Sequence, residues 1–169
     1  MKKKKLKYFG IGILGLLIIA PILHSPQNLS NDLSNDISKK FPVPDTIRQI
    51  LKISCNDCHS NLTVYPWYTK VQPFGWWIQH HIDEGKRELN FNEFSSYSIS
   101  RQFHKLEKIK EEMQEHGMPL TSYTLIHKNA KLNEGQNELL IKWAISLQDT
   151  LKANFPADSL VNPNRKKRG

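Results

Sequence analysis

The sequence predicts an all-α fold, and three observations carry that prediction. Apolar residues recur at spacings of three and four in four separate segments, as one face of a 3.6-residue helix requires. Helix-start residues stand ahead of the first and last of these segments. No segment sustains the apolar-polar alternation of a half-buried strand.

The chain opens with Lys2, Lys3, Lys4, Lys5 and Lys7, followed by an apolar run from Tyr8 to Leu23 broken only by Gly10, Gly12, Gly15 and Pro21. A basic cluster ahead of a hydrophobic stretch is an export address. The run is shorter than the ~20 residues of an ordinary span, so a cleaved signal peptide is one reading. No small-x-small cleavage site stands out after Ala20, and Pro26 follows Ser25, which favours an uncleaved anchor. Residues 1–24 are therefore expected to form a signal-anchor or transmembrane segment with its lysines cytoplasmic. Residues 25–44 are polar and turn-rich, with Leu-Ser-Asn-Asp repeated, and read as a flexible linker.

The folded part is expected over residues 45–157, enough for one small domain with a core. Asp45 reads as the N-cap of a helix over Thr46 to Ile53, with Ile47, Ile50 and Leu51 on one face. Phe74, Trp77, Ile78, His81 and Ile82 mark a second helix over Phe74 to Arg87. Ile99, Phe103, Leu106, Ile109 and Met113 form a third stripe, stopping at Gly117. Asn133 and Gln136 make a capping box for a last helix whose face is Leu139, Leu140, Trp143, Ala144 and Leu147. Residues 158–169 read as a basic, disordered tail.

The formal charge of +8 suggests a nucleic-acid binder, but its placement does not. Five lysines lie at the N-terminus, and Arg165, Lys166, Lys167 and Arg168 lie at the other end. Taking those nine from the 24 Lys and Arg leaves 15 against 16 Asp and Glu. Basicity here serves membrane topology and a solvated tail, and no nucleic-acid partner is expected.

The only two cysteines stand in Cys55-Asn56-Asp57-Cys58-His59. Two thiols one helical turn apart, followed at once by histidine, are the pattern that attaches haem covalently. The thiols anchor the ring as thioethers, and His59 is placed beneath the iron as proximal ligand. A disulfide, a thiol redox pair and half a zinc site are the alternatives. Zinc prefers four ligands, and no second Cys/His cluster with such spacing follows. A redox pair would want strand-rich βαβ surroundings, which the pattern lacks, whereas export to an oxidising compartment keeps the disulfide open.

For the sixth iron position the sequence offers Met118, in the turn Gly117-Met118-Pro119, where a thioether can be presented on shaped backbone from the far side of a ring. His80 and His81 are the rivals; adjacent helical residues point about 100° apart, so only one can face the iron. The expected metal ligands are thus His59 and Met118. Tyr65, Trp67, Trp76 and Trp77 are expected to wall a large flat cofactor, although ordinary core packing accounts for such rings equally well.

Beyond the motif, the chain resembles a bacterial family of membrane-anchored haem-binding domains, monohaem relatives of the c-type cytochromes. The resemblance is carried by Cys55 to Ser60, Tyr65-Pro66-Trp67-Tyr68, Trp76-Trp77 with His80, Glu84-Gly85, Leu89-Asn90-Phe91, Met118-Pro119 and Trp143-Ala144. It implies a small cytochrome c-like helical domain with one covalent haem c and its iron. Because such attachment takes place outside the cytoplasmic membrane, it also implies a single-pass protein of the cell membrane with its domain on the periplasmic or extracytoplasmic side. Two function classes follow: a membrane-tethered electron carrier with unidentified redox partner proteins, or a haem-based sensor or peroxidase-like enzyme with a displaceable sixth ligand. No Arg/His pairing commits the chain to peroxide cleavage, so the carrier ranks first and no catalytic residue is assigned.

Overall fold

A computed structural model of the chain describes Tyr8 and residues 26–161. Apart from Tyr8, the expected anchor lies outside these residues, as does the basic end of the tail. Among the described residues, no helix is long and apolar enough to cross a membrane.

Among residues 26–161, seven α-helices follow one another: α1 (Asp45–Ser54), α2 (Asn56–His59), α3 (Phe74–Glu88), α4 (Ile99–Gln114), α5 (Thr121–Ile126), α6 (Glu134–Asn154) and α7 (Ala157–Leu160). Short 3-10 turns at Ile37–Lys39, Trp67–Lys70, Phe91–Ser96 and Lys128–Ala130 join them. Among the described residues the one β pairing is an isolated antiparallel bridge between Leu29 and Leu62. The all-helical expectation therefore holds for the described chain. Leu106, Ile109 and Met113 of α4 form one buried cluster with Leu140, Trp143, Ala144 and Leu147 of α6. Ile47, Ile50 and Leu51 of α1 close it, as their spacing on one helical face predicts.

Local chemistry explains where the elements differ from expectation. Asp45 does not cap α1: Pro44 occupies the N-cap, without a side-chain bond, and Asp45 lies in the first turn, where its charge favours the helix N-terminus. The stripe expected on α3 is turned. Phe74 and Trp77 are exposed, whereas Gln79 and Ile82 are buried. Gln79 tolerates burial because its side chain accepts from the Tyr65 hydroxyl at 2.8 Å and donates to Asp83 at 2.8 Å. The stop after α4 is made at His116, whose φ of 52° is left-handed and whose Nδ1 accepts from the Asn137 side chain at 2.9 Å. The capping box of Asn133 and Gln136 forms as its spacing predicts.

Residues 25–44 correct a larger expectation. Residues 26–44, the part of that stretch that is described, are not a flexible linker but part of the folded body. Asn28 is buried, and Ile37 and Phe41 enter the core with 3% of their surface exposed. The repeated Ser-Asn-Asp units supply local turns, in which Asp32 accepts from the Ser34 amide and Asp36 from the Ser38 amide. Polarity here means turn chemistry, and Ile37 and Phe41, at and just after the second turn, anchor the segment. At the other end Leu160 of α7 packs against the core, so the domain extends beyond residue 157.

A candidate cofactor cavity around the Cys-x-x-Cys-His turn

The Cys-x-x-Cys-His turn continues the chain path of α1. The Cys55 amide donates to Leu51 O at 2.9 Å, and Cys55 O then accepts from the Cys58 and His59 amides at 3.2 and 3.0 Å. This winds α2 into a single turn with both thiols free and half-buried. α3 crosses directly above. A Cβ at Gly85 would lie 2.8 Å from Cys58 O and 3.0 Å from Cys58 Cβ, so only glycine allows this approach.

The same crossing orients the histidine. His59 Nδ1 lies 2.9 Å from Leu89 O and 3.1 Å from Gly85 O. Carbonyl oxygens only accept, so Nδ1 carries the proton and donates, leaving Nε2 as the basic nitrogen. Backbone acceptors hold metal-binding imidazoles in this same tautomer. The Phe91 ring meets the imidazole edge-on, with centroids 6.4 Å apart. Burial lowers the His59 pKa against the raising effect of the Leu89 and Gly85 carbonyls, which favours the neutral, ligating form. Burial pushes the Cys55 thiol up to about 12, with the charge of Cys58 adding to it, and the Cys58 thiol up to about 11, with the Asp57 carboxylate adding. Thiols held protonated in this way are poor redox nucleophiles.

Two cavities flank this turn. The larger, of 530 Å³, is lined by Cys55, Cys58, His59, His81, Glu84 and Met118, among others. A second, of 190 Å³, has Leu51, Phe91, Ile109 and Met113 in its wall and shares Cys55, His59 and Met118 with the first. The larger falls within the roughly 300–1,000 Å³ of small-molecule and cofactor sites. Asp57, inside the motif, accepts from the Tyr123 hydroxyl at 2.7 Å and so ties α5, just after Met118-Pro119, to α2. That hydrogen bond and the desolvation of the ring raise the Tyr123 pKa far above its usual value, desolvation being the larger cause.

The structure thus brings Cys55, Cys58, His59 and Met118 to shared cavity walls. The aromatic residues expected around the cofactor are placed differently. Tyr65 and Trp77 line a separate apolar cavity of 60 Å³ beside Cys58. Trp67 and Trp76 line none of these three cavities: Trp67 opens a 3-10 turn that buries only Thr69, and Trp76 lies on α3, whose buried residues are Gln79 and Ile82. His81 shares the larger cavity, while His80 is exposed, 4.0 Å from Glu84. Sequence reasoning assigned no role to Gly85, Leu89 or Tyr123. A glycine on the helix following the motif was the one visible sign, since a mid-helix glycine needs a reason.

The cavity fits a haem by its donors: two thiols one turn apart, an imidazole with its outer nitrogen already satisfied, and a thioether in the same walls. No curated protein and no solved structure matches the chain. The model of the haem-binding domain family matches residues 14–146, which include every residue of the cavity just described. The chain therefore belongs to the haem-binding domain family.

Proposed function

We propose that the domain holds one haem c covalently and serves as a membrane-tethered electron carrier on the outer face of the cell membrane. The single observation that carries this reading is the His59 imidazole, whose Nδ1 is committed to Leu89 and Gly85 within the turn that bears both thiols. Cys55 and Cys58 would hold the group through thioethers, and His59 and Met118 would take the two axial positions. The bound iron supplies one-electron chemistry, cycling between ferrous and ferric. The chain's own part would be to fix the imidazole, hold the iron through His59 and Met118 and exclude water with Leu51, Phe91, Ile109 and Met113.

His81 supports a second reading, because it shares the larger cavity with Met118. An iron left open at Met118, or taken by His81, would suit a gas or redox sensor or a peroxidase-like enzyme better than a carrier.

Covalent attachment is tested by maturing the protein in a host with cytochrome c assembly machinery and extracting with acid acetone after denaturation. Haem should stay with the polypeptide, and Cys55→Ala or Cys58→Ala should weaken or abolish that retention. Free extraction from the wild type would leave a haem-binding domain without the c-type bond. Topology is tested with a reporter fused after Gly169; activity confined to a reporter that works outside the cytoplasm is the expected result, and cytoplasmic activity overturns the orientation.

A further inference from the structure

Several large apolar side chains remain uncovered on one loop of the domain. Leu29, Leu62, Val64 and Trp67 are 57, 43, 72 and 77% exposed, and Val71 and Phe74 continue the exposure. Leu29 and Leu62 are bridge partners. Thr63 is buried between Leu62 and Val64, so the extended backbone turns both apolar neighbours outward. Trp67 then opens a short turn that buries Thr69 and exposes Lys70. Scattered exposed apolar residues are ordinary; a strip of them with a tryptophan and a lysine in one short turn is the composition of a membrane interface.

The chain leads from the apolar N-terminal run almost directly into this strip. Asn28 is fixed beside it: its amide donates to the Tyr65 hydroxyl at 2.8 Å, and its side chain donates to Ser60 O and Thr63 Oγ1 at 2.8 and 2.9 Å. The apolar N-terminal run ends at Leu23. Even fully extended, the chain from Leu23 to Asn28 spans at most roughly 18 Å. The headgroup layer on one side of a bilayer is itself about 5–8 Å thick. An anchor that ends at Leu23 would therefore keep Asn28, and the strip beside it, within roughly 18 Å of the hydrocarbon core.

We propose that the strip of Leu29, Leu62, Val64 and Trp67 rests on the lipid surface, so that the domain is docked on the membrane and does not swing from a tether. The proposal rests on the reading of residues 1–24 as an anchor. Trp67 and Val64 enter the interfacial layer, and Lys70 reaches the phosphates of anionic lipid. The occupant is the bilayer of the chain's own anchor.

The test uses the full-length, haem-loaded protein in vesicles of phosphatidylethanolamine and phosphatidylglycerol that include a phospholipid with a photoactivatable diazirine high in its acyl chain. After irradiation, lipid adducts are mapped by mass spectrometry. Adducts are expected on both the N-terminal run and the segment from Leu62 to Phe74. In the Val64→Glu, Trp67→Glu double variant, those on the segment should fall roughly tenfold, the change that about 1.4 kcal/mol of docking free energy gives. Both sites are exposed, and an unchanged haem spectrum shows that the variant is folded. Adducts confined to the N-terminal run overturn docking and leave the anchor standing; a strip covered by a second copy or another protein gives this result. Adducts on the strip but not on the run keep docking and remove the anchor. A protein left in the supernatant without adducts removes both.

Discussion

Leu89 and Gly85 present their carbonyl oxygens to one nitrogen of His59, and this settles which nitrogen remains for a metal. On the proposed reading, the second ligand to the iron is Met118. Met118 lies in the walls of both cavities that His59 lines, and its neighbour Gly117 sits against Glu112. Met118→Ala should remove the methionine-to-iron charge-transfer band of the ferric protein, lower the reduction potential and admit carbon monoxide or cyanide. The direction follows because methionine ligation raises the potential relative to histidine or water. His80→Ala should leave the band intact, since His80 lines none of the described cavities. A silent Met118→Ala beside a His81→Ala that converts the iron to high spin would replace the His/Met assignment with bis-histidine ligation.

Among the elements, α2 is too short to hold its own geometry and borrows it from α3. A single turn has few internal hydrogen bonds, and nucleating one in isolation is unfavourable. The crossing at Gly85 supplies both close packing on Cys58 and an acceptor for His59. Gly85→Ala should therefore cost about 1–3 kcal/mol, as overpacking of a filled contact does. Denaturant unfolding measures the loss, and a shifted axial-ligand spectrum in the folded variant would show that His59 moved with the helix. An unchanged stability would mean that α3 is not held against the motif. Behind the turn, a chain of buried amides completes the support. Asn90 donates to Asn61 at 2.7 Å, the Asn61 amide donates to Asn92 at 2.8 Å, and Asn92 donates to Asp36 at 2.7 Å. The loop after the motif is thereby tied to the segment ahead of α1.

At the scale of the whole molecule, that tie makes residues 26–44 structural. Ile37 and Phe41 sit in the same cluster as Leu106, Leu140 and Trp143, and the Trp143 indole donates to Pro42 O at 3.2 Å. Phe41→Ala should cost about 3–5 kcal/mol, the usual penalty for emptying a buried aromatic site. A chain beginning at Asp45 loses both anchors and the Asp36 acceptor, and it should unfold at markedly lower denaturant than the full domain. Equal midpoints for the two chains would restore the tether. The packed segment also leaves few residues between the domain and the proposed anchor, and the docking proposal depends on that short connection.

The sequence by itself determined the helical class and the positions of the main helices, because the 3.6-residue period of α1, α4 and α6 is a local property written in the residue types. It also determined the donor set, since thiols one turn apart and a following imidazole need no distant partner to be recognised. Tertiary structure decided the rest. That Gln79 is buried and Trp77 exposed depends on Tyr65 and Asp83, which complete the hydrogen bonds of the amide. That a polar stretch such as Ser30 to Asp36 folds depends on Asn92 and Ser95, which lie some sixty positions away. Composition reads polarity as solvation, whereas a folded chain can satisfy the same polar groups internally once a few apolar anchors bring them together.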